Sequence, residues 1–434
     1  MRVLVLGAGV AGVSAAYHLW RDGHEVTVLE RQTGPGMGSS FGNAGGLCPG
    51  FAGPWASPGM PYKVLRMALQ KHAPVRFSMM PDAERLRWLA QWLKECNVQR
   101  FGINKARMQR MAHYSMRCMQ VLRDEVPELN FGFHRDGTLQ LLETDQEVEL
   151  AQLATRTLSQ FQVPWRMIGR DEAMALEPSL RASAAAWQGA LHLPDDASGD
   201  SAKFCAGLAS YLSRRGVSFQ YGASATRLVH AHGRLRSVEI THGGQTEQRH
   251  ADACVVALGC QAPALLATAG LRIPIYPLKG YSITIPIADT GAAPRMAIMD
   301  EHNKIMLTRL GDKLRVAGMA EFVGYDLSVR RVRTELLSAL TRRLFPRGLD
   351  YAAATSWAGL RPMTPDGPPI LGATPLQGLY LNAGHGSNGW TQACGTGRLV
   401  ADAVSGKPPE IDMDGLTVER FGMHRAGRTP ARVA

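Results

Sequence analysis

Three glycines near the N-terminus are spaced as they are in loops that hold a pyrophosphate. Gly7, Gly9 and Gly12 form a G-x-G-x-x-G pattern directly after an apolar run at residues 3–6. The first glycine permits a tight turn, the second lets the backbone approach the phosphates, and the third lets a helix pack closely on a strand. A helix that begins here presents free N–H groups and a partial positive charge to an anion.

Glu30 completes this pattern with an acid. A helix-like stretch over residues 10–21 and a second apolar run over residues 26–29 follow the glycines, and Glu30 ends the run. It lies eighteen residues beyond Gly12, where a carboxylate can bond a ribose 2′-OH. The strand–helix–strand unit therefore predicts an adenine-dinucleotide site, and it leaves open whether the nucleotide is NAD or FAD.

The composition excludes several classes of protein. The 434 residues are 45% hydrophobic, which is enough for two domains with substantial cores. Seven cysteines without a C-x-x-C, together with histidines that lack ligand spacing, predict a reducing compartment and no metal site. No apolar run is as long as a membrane-spanning helix and the chain enters a strand at its first residues, so the expected location is cytoplasmic.

The charge is basic but dispersed. With 48 Lys and Arg against 37 Asp and Glu, the net charge is +11, a balance that suits nucleic acid or an anionic membrane surface. No long block of Lys and Arg is present, so we predict no nucleic-acid partner. Residues 51–80 are a candidate peripheral contact with the cytoplasmic face of the inner membrane, for which an ordinary lid surface is the alternative. Their apolar and basic side chains include Trp55, Met60, Lys63, Arg66, Lys71 and Arg76.

The order of the elements predicts an α/β fold of two interleaved domains. A Rossmann-like nucleotide-binding domain begins the chain, and the chain leaves it twice for an α+β substrate domain built on an antiparallel sheet. The predicted segments are 1–80, 195–272 and 352–420 for the first domain and 81–194 and 273–351 for the second. The tail, residues 421–434, is rich in Arg, Gly and Pro and is expected to be disordered.

The C-terminal third holds two further motifs. Residues 357–372 read WAGLRPMTPDGPPILG, and residues 379–390 read LYLNAGHGSNGW. The glycines of the second motif let the backbone approach a flat ligand closely. A helix that starts near Gly389 then points its N-terminus at that ligand, where it stabilises negative charge. A nucleotide domain that another domain interrupts twice is typical of two-domain flavoenzymes.

With these motifs the sequence resembles the superfamily of D-amino-acid oxidase and glycine oxidase and, within it, the small-subunit type of FAD-dependent D-amino-acid dehydrogenase. The resemblance extends over residues 1–415. Further stretches that carry it are residues 39–45, 55–59, 73–74, 196–200, 277–282 and 308–312. The chain departs from the usual dehydrogenase pattern at Gly42, Ser387 and Asn388.

The resemblance implies FAD as the cofactor, bound non-covalently. Sarcosine oxidases of this fold attach FAD through a cysteine seven residues before the aspartate of a Thr-Pro-Asp element. Here that aspartate is Asp366 and the matching position is Gly359. The residues expected to contact FAD are Gly7, Gly9, Val10, Ala11, Gly12, Glu30, Arg31, Ser39, Ser40, Asn43, Ala44, Gly45, Ala225, Ala257, Gly259, Arg361, Gly384, Gly386, Ser387, Asn388, Gly389 and Trp390.

Arg361 is the residue expected to bind the substrate. A guanidinium holds a carboxylate with two parallel hydrogen bonds. The resemblance places the family's carboxylate-binding arginine at the arginine of Gly-Leu-Arg-Pro, which is Arg361. The alternative is a surface arginine paired with Asp366.

Three other side chains are candidates for the same site. The Tyr281 hydroxyl is expected to be a second carboxylate contact, or else Tyr281 is an ordinary half-buried tyrosine of a sheet. His385 is expected at the flavin edge, or else it is a turn histidine with backbone partners. Arg309 faces the substrate in one interpretation and balances Asp312 in the other.

The predicted activity is the oxidative deamination of a D-amino acid. Hydride passes from Cα to flavin N5, and water hydrolyses the imino acid to a 2-oxo acid and ammonia. The resemblance implies a quinone or another respiratory-chain acceptor. Oxidation of D-proline, D-hydroxyproline, glycine or sarcosine on the same fold is the nearest alternative. A nicotinamide enzyme and a nucleic-acid-binding flavin fold are more distant ones.

Overall fold

The computed structural model of the protein describes residues 1–68, 75–78 and 82–423. The helices in this part of the chain are α1 (Val10–Arg21), α2 (Met60–Ala68), α3 (Ala83–Glu95), α4 (Val98–Glu125), α5 (Asp145–Gln160), α6 (Arg170–Leu176), α7 (Ser201–Ser213), α8 (Ala262–Ala267), α9 (Arg331–Leu344) and α10 (Gly389–Ser405). The strands are β1 (Arg2–Leu6), β2 (Glu25–Glu30), β3 (Gly46–Leu47), β4 (Val75–Phe77), β5 (Thr138–Leu142), β6 (Arg166–Gly169), β7 (Gly189–Leu193), β8 (Ala197–Ser198), β9 (Ser218–Tyr221), β10 (Ala223–Ala231), β11 (Arg234–His242), β12 (Gln245–Arg249), β13 (Ala253–Val256), β14 (Tyr276–Pro286), β15 (Ala297–Asp300), β16 (Ile305–Leu310), β17 (Lys313–Phe322), β18 (Thr355–Met363), β19 (Ile370–Ala373) and β20 (Leu379–Ala383).

The first domain is built on a mostly parallel sheet. Its six strands lie in the order β19, β20, β13, β1, β2, β9, and all neighbours are parallel except the pair of β19 and β20. The central strand β1 is buried at every residue after Arg2, as its unbroken apolar sequence requires in a sheet covered on both faces. Helix α1 follows β1 directly and packs against α7 and α10. This arrangement confirms the predicted α/β class.

The second sheet is mixed. Its strands lie in the order β18, β14, β17, β16, β15, β5, β7, β6, and β4 pairs with β17. Most neighbours are antiparallel, but β15 pairs with β5 and β4 with β17 in parallel, so the expected antiparallel sheet is only part of it. The partners in each parallel pair lie far apart in sequence, which gives the chain room for the long return that parallel pairing requires.

Three elements lie in a different domain from the one predicted for them. Both β18 and β4, which were expected in the nucleotide-binding domain, pair with strands of the second sheet. Helix α4, expected in the substrate domain, contributes Met111 and Leu122 to the core of the first domain and packs on α10. The domain in which each of these elements lies depends on strand pairing and helix packing between segments far apart in sequence. It cannot be predicted from the local composition.

Some sequence predictions fall outside the described residues. These are the stretch 73–74, Lys71 and the end of the candidate membrane contact, and residues 424–434 of the tail. The side chain of Arg66 also lies outside them. Among the helices that the structure describes, none is long and apolar enough to cross a bilayer.

A buried carboxyl lies where the two domains meet. Asp196 is 2% exposed and precedes β8, which pairs with β3 beside the nucleotide loop. Burial raises the pKa of Asp196 to about 7, against the opposing effect of its neighbours Thr138 and Cys48. The carboxyl is therefore protonated in mild acid and ionises near neutral pH.

We expect Asp196 to make the folded protein less stable as the pH rises. Because its pKa is raised from 3.8 to about 7 on folding, the folded state holds the proton more tightly, and this stabilisation is lost as the pH rises through 7. Asp196→Asn should remove about 2–3 kcal/mol of pH dependence between about pH 5 and pH 8. Unfolding free energies across this range measure it, with Asp312→Asn, at an exposed aspartate that does not contribute to the pKa of Asp196, as the control. Equal pH slopes in the wild type and Asp196→Asn would contradict the expectation.

Candidate active site

One large cavity receives residues from both domains. Its volume is about 1210 Å³, which exceeds the ~300–1,000 Å³ of pockets that hold one drug-sized ligand. The first domain lines it with the glycine loop, Glu30 and the start of α10, and the second sheet lines it with Met319 and Arg361. Such a space can hold a dinucleotide and a small substrate together.

The glycine loop is shaped by contacts that leave no room for a side chain. A Cβ on Gly12 would lie 1.8 Å from the Gly7 carbonyl oxygen, and one on Gly7 would lie 2.6 Å from the Ala257 carbonyl oxygen. Gly9 precedes the first residue of α1 and lines the cavity. The backbone can therefore approach a phosphate closely, with the free N–H groups of the first turn of α1 beside it.

Glu30 holds this loop and also lines the cavity. Its Oε2 accepts from the Ala8 N–H at 2.8 Å, and its Oε1 accepts from the Gln32 N–H at 2.9 Å. Each carboxylate oxygen has a further lone pair. The acid can thus accept a ribose hydroxyl while it ties the ends of β1 and β2 together.

The loop after β2 is tied to three other elements. Ser40 Oγ accepts from the Val10 N–H at 3.1 Å, and the Ser40 carbonyl accepts from the Ser201 hydroxyl at 2.6 Å. The Ser39 hydroxyl donates to the Leu360 carbonyl at 2.5 Å, which joins the loop to β18. These bonds connect the nucleotide end of the cavity to the strand that carries Arg361.

The start of α10 closes another side of the cavity. Ser387 and Asn388 form a short turn after β20, Gly389 begins α10, and all three line the cavity. His385 lies beside them, with Nε2 3.1 Å from Thr396 Oγ1, and burial lowers its pKa to about 4. The imidazole is therefore neutral near pH 7, and the positive end of α10 is the local feature that stabilises an anion.

The guanidinium of Arg361 lines the cavity without a carboxylate partner. Its Nη1 donates to the Met319 carbonyl at 2.9 Å, and its Nη2 lies 3.5 Å from the Gly318 oxygen. Burial lowers the pKa of Arg361 to about 10, and no acid in the described residues opposes this effect. Asp366 pairs instead with Arg420 at 2.7 Å, so the alternative of an Arg361–Asp366 pair is wrong.

A bulge in the second sheet holds this guanidinium. The register of β14 and β17 shifts between Lys279 and Tyr281. Met319 lies opposite this shift and has a left-handed backbone conformation, with a φ of +64°. The carbonyl that binds Arg361 belongs to this strained residue. A Cβ on Gly280 would lie 2.5 Å from Arg361 Nη2, so a side chain at residue 280 would displace the guanidinium.

Two other candidate residues bond to groups of the protein itself, and for Tyr281 this agrees with the alternative of an ordinary tyrosine of the sheet. The Tyr281 hydroxyl donates to Glu321 at 2.8 Å, and Tyr281 is 1% exposed, so this hydroxyl is not available to a substrate carboxylate. Arg309 donates to the Gly311 carbonyl at 3.1 Å on an exposed hairpin. Within the described residues it does not line the cavity and forms no ion pair with Asp312, so the structure supports neither interpretation of it.

Trp357 lines the cavity as well, and sequence reasoning missed it. A Cβ on Gly42 would lie 2.0 Å from Trp357 Cε3, and one on Gly359 would lie 1.9 Å from Trp357 Cη2. The indole therefore occupies the space beside two glycines. Trp357, Gly359 and Arg361 alternate along β18, and the two-residue period of a strand places them on one face. That period was the available signal.

The chain matches a known family over nearly its whole length. Residues 2–403 match the DAO family, described as FAD dependent oxidoreductase. The chain belongs to this family.

Solved structures show the same fold as this DAO-family protein. Glycine oxidase from Geobacillus kaustophilus has a TM-score of 0.74 and 23% identity, with 96% of this chain and 99% of that chain covered. Iminodiacetate oxidase from Chelativorans sp. BNC1 has a TM-score of 0.69 and 24% identity, with 96% and 98% covered. L-Proline dehydrogenase from P. horikoshii has a TM-score of 0.73 and 20% identity, with 97% of each chain covered.

FAD is the cofactor of this DAO-family protein, and the residues of the cavity fit it. The close contact of Gly12 with Gly7 leaves a bare backbone for the pyrophosphate, Glu30 can accept a ribose hydroxyl, and the start of α10 suits the flavin ring. The N-terminal motif alone is compatible with NAD or FAD, and the family shows that the dinucleotide is FAD.

Most residues expected to contact FAD line this one cavity. The exceptions are Gly12, Gly45 and Gly384. Gly12 shapes the glycine loop, while Gly45 and Gly384 have φ values of +88° and +76° and shape turns next to lining residues. The individual contacts to FAD stay predictions. In the described residues, no group of three or more His, Cys, Asp or Glu is placed to hold a metal ion.

Gly12→Ala is expected to lower the FAD content of the purified protein at least about tenfold, because its Cβ would collide with the Gly7 backbone and displace the loop. The ratio of flavin to protein absorbance measures this. Gly102→Ala is the matched control, since Gly102 lies in α4 with open space around it and should gain about 0.5–1 kcal/mol of stability. Full FAD content in Gly12→Ala would contradict the assignment of the loop.

Proposed function

We propose that this protein is an FAD-dependent D-amino-acid dehydrogenase. It would oxidise a D-amino acid to an imino acid, which water converts to a 2-oxo acid and ammonia. The observation that carries the proposal is the guanidinium of Arg361, which lines the flavin cavity and has no acid partner in the described chain. An amino-acid substrate brings the carboxylate that this charge requires. The stretches in the middle of the chain, such as residues 277–282 and 308–312, support the D-amino-acid dehydrogenase branch, whereas the motifs at residues 357–372 and 379–390 are typical of the whole superfamily.

The residues of the chain bind and orient the substrate in this proposal. Bound FAD supplies the hydride acceptor, its N5 atom. Arg361 binds the carboxylate, and the Met319 carbonyl fixes the guanidinium. The start of α10, beside the neutral His385, stabilises negative charge at the flavin end. Solvent can take the proton of the substrate amine, so the reaction requires no dedicated base.

The proposed electron acceptor is a quinone or another respiratory-chain component, met at an anionic membrane surface. The net charge of +11 supports a peripheral location of this kind. Helix α2 lies within the candidate membrane contact. Its side chains Tyr62, which is 70% exposed, and Lys63, which is also exposed, could meet such a surface.

Arg361→Gln is expected to lower kcat/KM for D-amino acids by about 10²–10³-fold, mainly through KM, because loss of one partner of a buried charge pair costs about 3–4 kcal/mol. Reduction of a dye acceptor measures the rates, with flavin content as a check on folding. The control is Arg309→Gln, at an arginine outside the cavity.

The same assay tests the substrate class with a panel of D- and L-amino acids. Reduction of the flavin by L- but not D-amino acids would contradict the proposal. A strong preference for glycine, sarcosine or D-proline would favour the alternative substrates on this fold.

Acid precipitation is expected to release the flavin as free FAD. Gly359, which matches the attachment position in sarcosine oxidases, has no side chain to form a bond. Cys48 and Cys260 also line the cavity, but burial raises the pKa of both thiols, which makes them poor nucleophiles. A precipitate that keeps the yellow flavin after denaturation would contradict non-covalent binding.

A further inference from the structure

One end of the cavity has an apolar wall that the carboxylate and flavin sites do not explain. We define the apolar lobe by its residues Val75, Phe77, Trp88, Leu89, Trp92 and Phe322. Among the described residues of α2, β4 and α3 that line the cavity, every side chain is apolar or aromatic except the exposed Lys63. This surface is larger than the binding of a carboxylate and an amine requires.

The aromatic rings of the apolar lobe pack on one another and form a rigid wall. Phe77 stacks on Phe322 with ring centroids 4.6 Å apart, and Trp88 lies 5.9 Å from Phe322 and 6.4 Å from Trp92. The Trp88 indole N–H donates to the Met363 carbonyl at 2.8 Å, which fixes its orientation. The wall is therefore preorganised, so little ordering is needed when a guest binds.

The buried indole N–H of Trp92 has no hydrogen-bond partner in the described chain. A buried donor without a partner is costly.

The apolar lobe begins next to the carboxylate site. Gly318 and Met319, whose carbonyls face the guanidinium of Arg361, are followed on β17 by Ala320, which pairs with Val75, and by Phe322, which pairs with Phe77. A molecule whose carboxylate binds Arg361 therefore has the apolar lobe within reach of its next few atoms.

From this continuity we infer that the apolar lobe binds the substrate side chain and selects bulky apolar or aromatic D-amino acids. The inference rests on the proposed function. A small side chain such as that of D-alanine would leave the aromatic wall uncovered. Filling it with an aromatic or long aliphatic side chain removes that apolar surface from water.

A series of D-amino acids tests the inference on the wild-type holoenzyme with a dye acceptor. We expect kcat/KM to rise from D-alanine through D-methionine and D-leucine to D-phenylalanine, by about tenfold or more over the series. Equal or higher kcat/KM for D-alanine than for D-phenylalanine would overturn the inference and leave the proposed function intact. Failure of every D-amino acid to reduce the flavin would overturn the proposed function itself.

A matched pair of variants on α3 locates the effect. Leu89→Trp fills the apolar lobe, while Leu86→Trp places the same ring on a residue that is 62% exposed. We expect Leu89→Trp to lower kcat/KM for D-phenylalanine about tenfold or more and that for D-alanine less than about twofold. Leu86→Trp should change neither, and flavin content and melting temperature check that both variants fold.

Two outcomes of the variant experiment would overturn the inference. One is an equal loss for both substrates in Leu89→Trp. The other is unchanged substrate kinetics with a loss of rate only when a quinone replaces the dye, which would assign the apolar lobe to the electron acceptor. If Leu89→Trp fails to fold, the series of D-amino acids on the wild-type holoenzyme still tests the inference.

Discussion

Arg361 carries its charge inside a cavity, where burial opposes ionisation and lowers its pKa to about 10. The Met319 carbonyl compensates part of that cost by accepting a hydrogen bond. It can do so because the bulge between β14 and β17 puts Met319 in a left-handed conformation. The space for the guanidinium exists because residue 280 is a glycine. The order and register of three strands thus determine the position of one side chain.

The buried guanidinium of Arg361 still lacks an anion to neutralise it. The rest of the cavity also favours the binding of anions. The starts of α1 and α10 both line it, and each helix start carries a partial positive charge. Among the lining residues that the structure describes, Glu30 is the sole acid, and its oxygens already accept two backbone N–H groups. One domain thus suits the phosphates and the reduced ring of a flavin, and the other suits a substrate carboxylate.

The sequence predicts best those features that depend on neighbouring residues. Gly7, Gly12 and Glu30 act within one strand–helix–strand unit, so their spacing determines most of their contacts. Arg361 could be assigned only through the resemblance, because the carbonyl that holds it is 42 residues away. Its freedom from an acid partner became visible only in the fold.

Tyr281 marks the limit of such reasoning. A tyrosine on a strand has the same pattern whether its hydroxyl meets a ligand or a buried acid, and here the partner Glu321 lies 40 residues away. The apolar lobe was hidden for a similar reason. Its wall combines β4, α3 and the end of β17, and none of these segments differs from an ordinary core segment when read alone.

Trp357 makes three positions interdependent. Its indole fills the space that a side chain at residue 42 or residue 359 would occupy. A cysteine at residue 359, where related flavoenzymes form their covalent link, therefore could not be accommodated by a single substitution. The tryptophan would first have to become smaller, and that change would open the cavity beside Gly42. A covalent link to the flavin could therefore arise in this chain only through substitutions in a fixed order, first at Trp357 and then at Gly359. The packing of one ring makes the effect of the second substitution depend on the first.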